Sequence, residues 1–177
     1  MDISRRVLLL STLITAGCSV PGASDNNVTK PNTVQDENAR SFFELYPVGR
    51  VKRKGTSVSL HIFKKYKDAL KGLDGFSHAF VLYWFDRNDT PEKRSILQVH
   101  PRGNRKNPLT GIFACRAPVR PNLIALSLCK IISVKNNIVY IENIDALNDS
   151  PILDIKPYIP NIDHKIKDVH VPDWLME

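Results

Sequence analysis

Arginines and aspartates gather in two short, proline-containing stretches of this 177-residue chain, and these stretches decide what chemistry it can do. The first, GIFACRAPVRPN at 111–122, sets Arg116 and Arg120 among Pro118 and Pro121. Proline fixes the backbone there, so each guanidinium fork can be held with less entropy lost and can meet a phosphate or a carboxylate. The second, IDALNDSPILDIKPY at 144–158, places Asp145, Asn148 and Asp149 ahead of a Ser150-Pro151 turn, and Asp154 two residues before Lys156. Residues two apart on a strand share a face, so Asp154 and Lys156 can form an ion pair. Asp145 can face a cation. A third stretch, GLDGFSH at 72–78, brings glycines next to Ser77 and His78, and a basic loop at 101–108 adds Arg102, Arg105 and Lys106. The plainer reading of the same residues is turn chemistry with structural ion pairs, Arg120 bound to Asp154 or Asp145.

The familiar catalytic patterns are absent from the sequence. It contains no GxGxxG, GxxxxGK, HExxH or GxSxG run. His61, His78, His100, His164 and His170 show no metal-ligand spacing, and His164 and His170 read as surface groups among charges. Cys18, Cys115 and Cys129 include no CxxC pair, so no zinc site is expected. Cys115 and Cys129 lie in apolar runs and read as buried free thiols; in an oxidising compartment they could instead pair.

The elements that must carry these groups are mostly strands. Val58, Leu60 and Ile62 alternate with polar neighbours, which predicts a strand over 57–62 with one buried face. Tyr66, Ala69, Leu70 and Leu73 among lysines predict a short amphipathic helix over 64–73, closed by Gly75. The aromatic run at 76–85 predicts a central buried strand, and 96–99 a short one. The apolar run 123–134 turns at Asn136-Asn137 into 138–141, a hairpin signal. Closely spaced strands with one or two short helices predict a mostly β fold, a small antiparallel barrel; helices are too few to cover a doubly wound sheet.

The chain has length for one domain with a true core, and its apolar share of 42% is that of a globular protein. Its first residues read as an export signal: Arg5-Arg6, an apolar stretch too short to span a bilayer, then Thr15-Ala16-Gly17-Cys18. The paired arginines resemble a twin-arginine signal, and the last four residues resemble a lipoprotein box that would make Cys18 the lipidated first residue. Residues 1–17 are thus expected to be a signal peptide, 18–41 a flexible polar tether and 42–177 the domain. The expected product is an exported lipoprotein held on the membrane through Cys18, or a cytoplasmic protein if the leader is not processed. Met176 is the only other methionine, so no internal methionine could start a cytosolic form. The formal charge is +7; removing the leader takes away two arginines and one aspartate and leaves +6, a balance that suits an anionic partner such as RNA or acidic lipid.

The stretches at 72–78, 111–124 and 145–158 resemble, in order, the GLxGFSH, GxFAxRxPxRPNxI and DxxDGTPxLDIKPY motifs of the TsaA-like domain family. Its characterised members are S-adenosylmethionine-dependent methyltransferases that modify N6 of threonylcarbamoyl-adenosine in the tRNA anticodon loop. The resemblance covers about 43–160. It implies a small antiparallel barrel, a homodimer, and a cofactor site near the dimer interface built from Arg116, Leu126, and Asp145, Ala146, Leu147 and Asn148. A His-Lys pair of the family falls on Asp86 and Arg87. No catalytic base is implied. The sequence departs from the family at Asp86, at Cys115 and Ala117, at Leu123 and Ala125, and at Asn148-Asp149-Ser150, where the family has Asp-Gly-Thr. A Pro-Arg-Gln segment is replaced by the lysine-rich residues 50–56, and no counterpart of the C-terminal extension of many bacterial members is expected. Outside the cytosol, where the tRNA and the methyl donor are scarce, the implied alternative is a binding module or an enzyme for another substrate.

Overall fold

Val58, Leu60 and Ile62 point inward from a strand at Ser57–Ile62, as their alternation predicts. The computed structural model describes residues 43–164 and 168–176. The leader, the tether and Cys18 lie outside the described residues. Eight strands form the framework: β1 (Gly49–Lys54), β2 (Ser57–Ile62), β3 (His78–Trp84), β4 (Gln98–Val99), β5 (Thr110–Gly111), β6 (Ile124–Lys135), β7 (Ile138–Ile141) and β8 (Pro151–Pro157). Six close into an antiparallel barrel in the order β1-β2-β7-β6-β3-β8, and β4 pairs with β5 beside it.

Closure depends on a short seam. β1 meets β8 through Gly49 opposite Ile152 and Arg50 opposite Pro151. Pro151 has no N–H to donate and stands first in its strand, where it disturbs the ladder least. Gly49 is required by the close approach of β2 on its other side: a Cβ there would clash with the His61 carbonyl oxygen. β6 spans two sides of the barrel. It pairs with β3 over its first half and with β7 from Ile131 onward, with a register shift between Ile131 and Ser133, the local bend by which a strand turns a barrel corner. The Asn136-Asn137 hairpin forms as expected, with Asn136 at φ 55 and the Asn137 side chain donating to the Ile62 carbonyl at 2.6 Å.

The barrel is filled by side chains. Val51, Leu60, Val81, Val139 and Ile152 are almost fully buried, with Cys129 among them. β3 is central, between β6 and β8, but it is buried on one face only. Its outer aromatics find separate cover: Phe80 packs edge-on against Tyr158, and Trp84 lies under Arg94.

The predicted helix over 64–73 is instead a 3-10 turn at Lys64–Leu70 followed by another at Leu73–Gly75. Leu70 and Leu73 alone are buried, and a spacing of three is the one a 3-10 turn stacks. The left-handed residue between the two turns is Gly72, at φ 84, rather than Gly75. Among the described residues, true α-helix is confined to α1 (Pro91–Arg94) and α2 (Pro160–Asp163).

Candidate functional site

The arginine-proline turn and the acidic turn come together. Arg116 from the first and Asp145 from the second line one open cleft of about 850 Å³, with Leu126 of β6 on its wall. Phe113, Asn122 and Asn143 add an aromatic face and two amide groups. Arg116, Leu126 and Asp145 are all exposed, so their groups are free to meet a ligand. A fork of five donors, a carboxylate, amides and apolar faces together suit a ligand that carries both signs of charge and a flat ring.

Arg120 holds the first wall; the ion pair with Asp154 or Asp145, the plainer of the two readings the sequence left open, does not form. Its Nη2 donates to the carbonyls of Ile112 at 2.9 Å and Cys115 at 3.1 Å, which clasps the turn that presents Phe113 and Arg116. Its Nε is buried without a partner among the described residues. Asp154 pairs with Lys156 at 2.8 Å, as expected from their spacing.

The acidic turn is held from β1. Arg53 donates through Nε to the Ala146 carbonyl at 2.8 Å and through Nη2 to the Ile144 carbonyl; its backbone N–H donates to Asn148 Oδ1 at 2.9 Å. Arg50 donates to the Asp149 carbonyl at 2.8 Å, and Lys52 pairs with the Asp149 carboxylate. Asp149 sits at φ 69, in the left-handed region that favours glycine. The departures at 50–56 and at 148–150 are therefore two halves of one arrangement: basic residues of β1 clamp an aspartate into a glycine's conformation. The Lys52 ammonium, first, holds the Asp149 carboxyl below the usual carboxylate range.

From inside the barrel the Tyr83 hydroxyl donates to the Asp145 carbonyl at 2.8 Å. Burial pushes the Tyr83 phenol up, so it stays a neutral donor. Burial also pushes the Cys129 thiol up to about 11, and Cys115 and Cys129 are both free thiols.

The other expected site residues lie elsewhere within one subunit. Ala146 is buried in the core. Leu147 and Asn148 are exposed but off the cleft wall, and Asn148 is engaged with the Arg53 backbone and, at 2.7 Å, with Asp149. Asp86 and Arg87 occupy an exposed turn at Asp86–Asn88, also off the wall; the Arg87 charge reaches Asp149 and helps depress its carboxyl. The 72–78 stretch does not reach the cleft. Gly72, Leu73 and Phe76 face Asp154 and Pro157 across another crevice, so this stretch and the end of the third serve the scaffold. Sequence reasoning assigned no role to Phe113, Asn122 or Asn143; the aromatic in GIFA and the asparagine in RPN were the signals available.

Fold and cleft together define a small closed antiparallel barrel that offers its ligand site between surface turns, its lumen being filled by side chains. The tRNA-methyltransferase O N-terminal domain matches residues 44–164, and the chain belongs to that family. A probable S-adenosyl-L-methionine-binding protein of Methanocaldococcus jannaschii is 43% identical over 122 residues, covering 69% of this chain and 97% of that protein. The tRNA (adenine(37)-N6)-methyltransferase of Mus musculus is 39% identical over 106 residues, 60% of this chain but 24% of that protein. The crystal structure of TrmO from Pseudomonas aeruginosa superposes with a TM-score of 0.56 at 24% identity, over 73% of this chain and 62% of that one, a likeness of fold.

Proposed function

We propose that the protein is an S-adenosylmethionine-dependent methyltransferase whose acceptor is N6 of an adenosine in tRNA, in its finer form threonylcarbamoyl-adenosine. The observation that carries this reading is the meeting of Arg116 and Asp145 on one cleft beside Leu126. Family membership supports it, as do relatives named for binding S-adenosylmethionine and for methylating adenine 37 of tRNA.

The residues fit that cofactor. Arg116 suits its carboxylate, Asp145 its ammonium or sulfonium charge, and Leu126 and Phe113 its adenine faces. When bound, S-adenosylmethionine would supply an electrophilic methyl carbon: the N–C bond would form as the S–C bond breaks, with the bonding pair left on sulfur and the N6 proton passing to water. The chain's own task is positioning, which can supply roughly 7–11 kcal/mol of such a barrier. Arg120 fixes the turn bearing Arg116, while Tyr83 and Arg53 fix the turn bearing Asp145. A carbamoyl substituent makes the N6 proton easier to lose, so a strong base is not required.

The proposal includes a homodimer. Leu126, Leu128 and Ile132 stand 47%, 51% and 64% exposed along the outer face of β6, and Leu126 and Leu128 also line the open cleft. A second copy on that face would bury the apolar row and exclude water from the site.

A second reading is favoured by the leader: an exported lipoprotein, anchored through Cys18, that uses the same cleft for another ligand or acceptor. Transfer of label from methyl-labelled donor to tRNA by the purified chain supports the first reading. A folded chain that transfers none to tRNA lacking the modification, and is recovered with residues 1–17 removed and lipid on Cys18, supports the second.

A further inference from the structure

The C-terminal segment lies beyond residues 44–164, yet it builds a wall beside the site. A short turn at Asp173–Leu175 brings Pro172, Trp174 and Leu175 to one side of a second cleft of about 1030 Å³. The other side is the arginine-proline turn and the Pro101–Gly103 turn with His100. Arg102 ties the two sides, its Nη2 donating to the Leu175 carbonyl at 3.4 Å. Arg102 takes φ 59, a left-handed conformation that costs a non-glycine residue energy and is tolerated where the surroundings impose it.

The two clefts are contiguous. Phe113, Cys115, Arg116 and Asp145 line both, so the clefts adjoin along these residues. A methyl donor in the first would then meet an acceptor in the second along that shared edge, with no side chain between the reacting atoms. The chemistry of the second suits a nucleotide. Trp174 is a half-buried indole, Phe113 an exposed ring, and Arg102 with Arg116 outweighs the one carboxylate, Asp145. His100 is fixed by its Nδ1–H, which donates to the Asn107 carbonyl at 2.8 Å. Aromatic rings beside guanidinium groups are how single-stranded bases and their phosphates are held.

We propose that the second cleft is the acceptor site, in which the base of the target purine nucleotide stacks on Trp174 and its phosphate meets Arg102. The proposal rests on the methyltransferase reading, and its test separates the two. Trp84 and Trp174 are the only tryptophans, so in the Trp84→Phe chain the emission reports on Trp174 alone. Adenosine 5′-monophosphate is titrated in with the first cleft saturated by S-adenosylhomocysteine, whose binding is followed by calorimetry. Saturable quenching that persists under saturation is the expected result. The Trp174→Ala chain should then bind S-adenosylhomocysteine unchanged while its KM for tRNA rises roughly 10- to 100-fold, with Trp174→Phe restoring most of the loss. Absence of quenching with intact S-adenosylhomocysteine binding overturns the acceptor site and leaves the methyltransferase reading standing. Quenching abolished by S-adenosylhomocysteine places the nucleotide in the first cleft and likewise overturns the inference. A folded chain that binds neither molecule overturns both.

Discussion

Replacing Arg120 by leucine removes the clasp on the turn that presents Arg116 and, although Arg120 itself borders the cleft, leaves Arg116, Leu126 and Asp145 in place. Two hydrogen bonds from a charged donor are lost, to Ile112 at 2.9 Å and Cys115 at 3.1 Å. Each is worth about 1.5–3 kcal/mol, while the buried Nε without a partner already costs about 1–3 kcal/mol that the substitution returns. The net loss is about 2 kcal/mol. At roughly 4 °C per kcal/mol for a domain of this size, the melting temperature should fall by about 8 °C. Thermal unfolding followed by circular dichroism measures that fall, and calorimetry with S-adenosylhomocysteine should show weakened binding with it, because the turn that carries Arg116 loosens. Lysine at 120 should recover only part of the stability, since an ammonium cannot reproduce the planar fork. Unchanged melting with binding lost would refute the reasoning, for it would make Arg120 a direct ligand contact instead of a clasp.

Gly49→Ala should force β1 and β2 apart beside the barrel's closing seam, because its Cβ would clash with the His61 carbonyl oxygen of β2; a melting temperature within a degree of the parent contradicts this. The acid limb of stability should depend on Asp149. Its carboxyl is held low in the folded state by Lys52, so the contribution is full above the ordinary carboxylate range and is lost as pH falls through the depressed value. Urea midpoints taken between about pH 5 and pH 2 should fall less steeply in Lys52→Met than in the parent. Cys129, its thiol pushed up to about 11, should resist iodoacetamide at neutral pH, while half-buried Cys115 reacts; peptide mapping reads both.

The period-two run at 57–62 made β2 legible, because one face of that strand fills the barrel; the apolar run at 123–134 and the Asn136-Asn137 turn made β6 and the β6–β7 hairpin legible. The 64–73 segment misled, since Tyr66, Ala69, Leu70 and Leu73 fit a period of 3.6 nearly as well as one of 3; the tertiary fold buries only the pair that a 3-10 turn stacks. β3 read as buried on both faces because aromatics occupy both, and their outer cover comes from Tyr158 and Arg94, distant in sequence. At the site, the turns that meet were visible as motifs, yet partners were not. For Arg120 the sequence left a phosphate or a carboxylate open; it meets carbonyls instead, because a rigid proline turn brings its own backbone nearer than any aspartate. Asp149 stands out in the sequence only as a departure from the family's glycine; the basic β1 residues that hold it in place lie about 100 residues away and meet it only in the fold. Trp174 carried no local pattern at all; only the return of the chain to Arg102 gives it a place.

Calorimetric titration of S-adenosylhomocysteine into the parent chain, Arg116→Ala and Asp145→Asn tests the central claim most directly. The account predicts one site per subunit in the parent and at least about a tenfold loss in each variant, about 1.4 kcal/mol, with melting temperatures unchanged because both side chains are exposed. Binding of parent strength in both folded variants would contradict it, since the arginine-proline turn and the acidic turn would then meet without making the ligand's site.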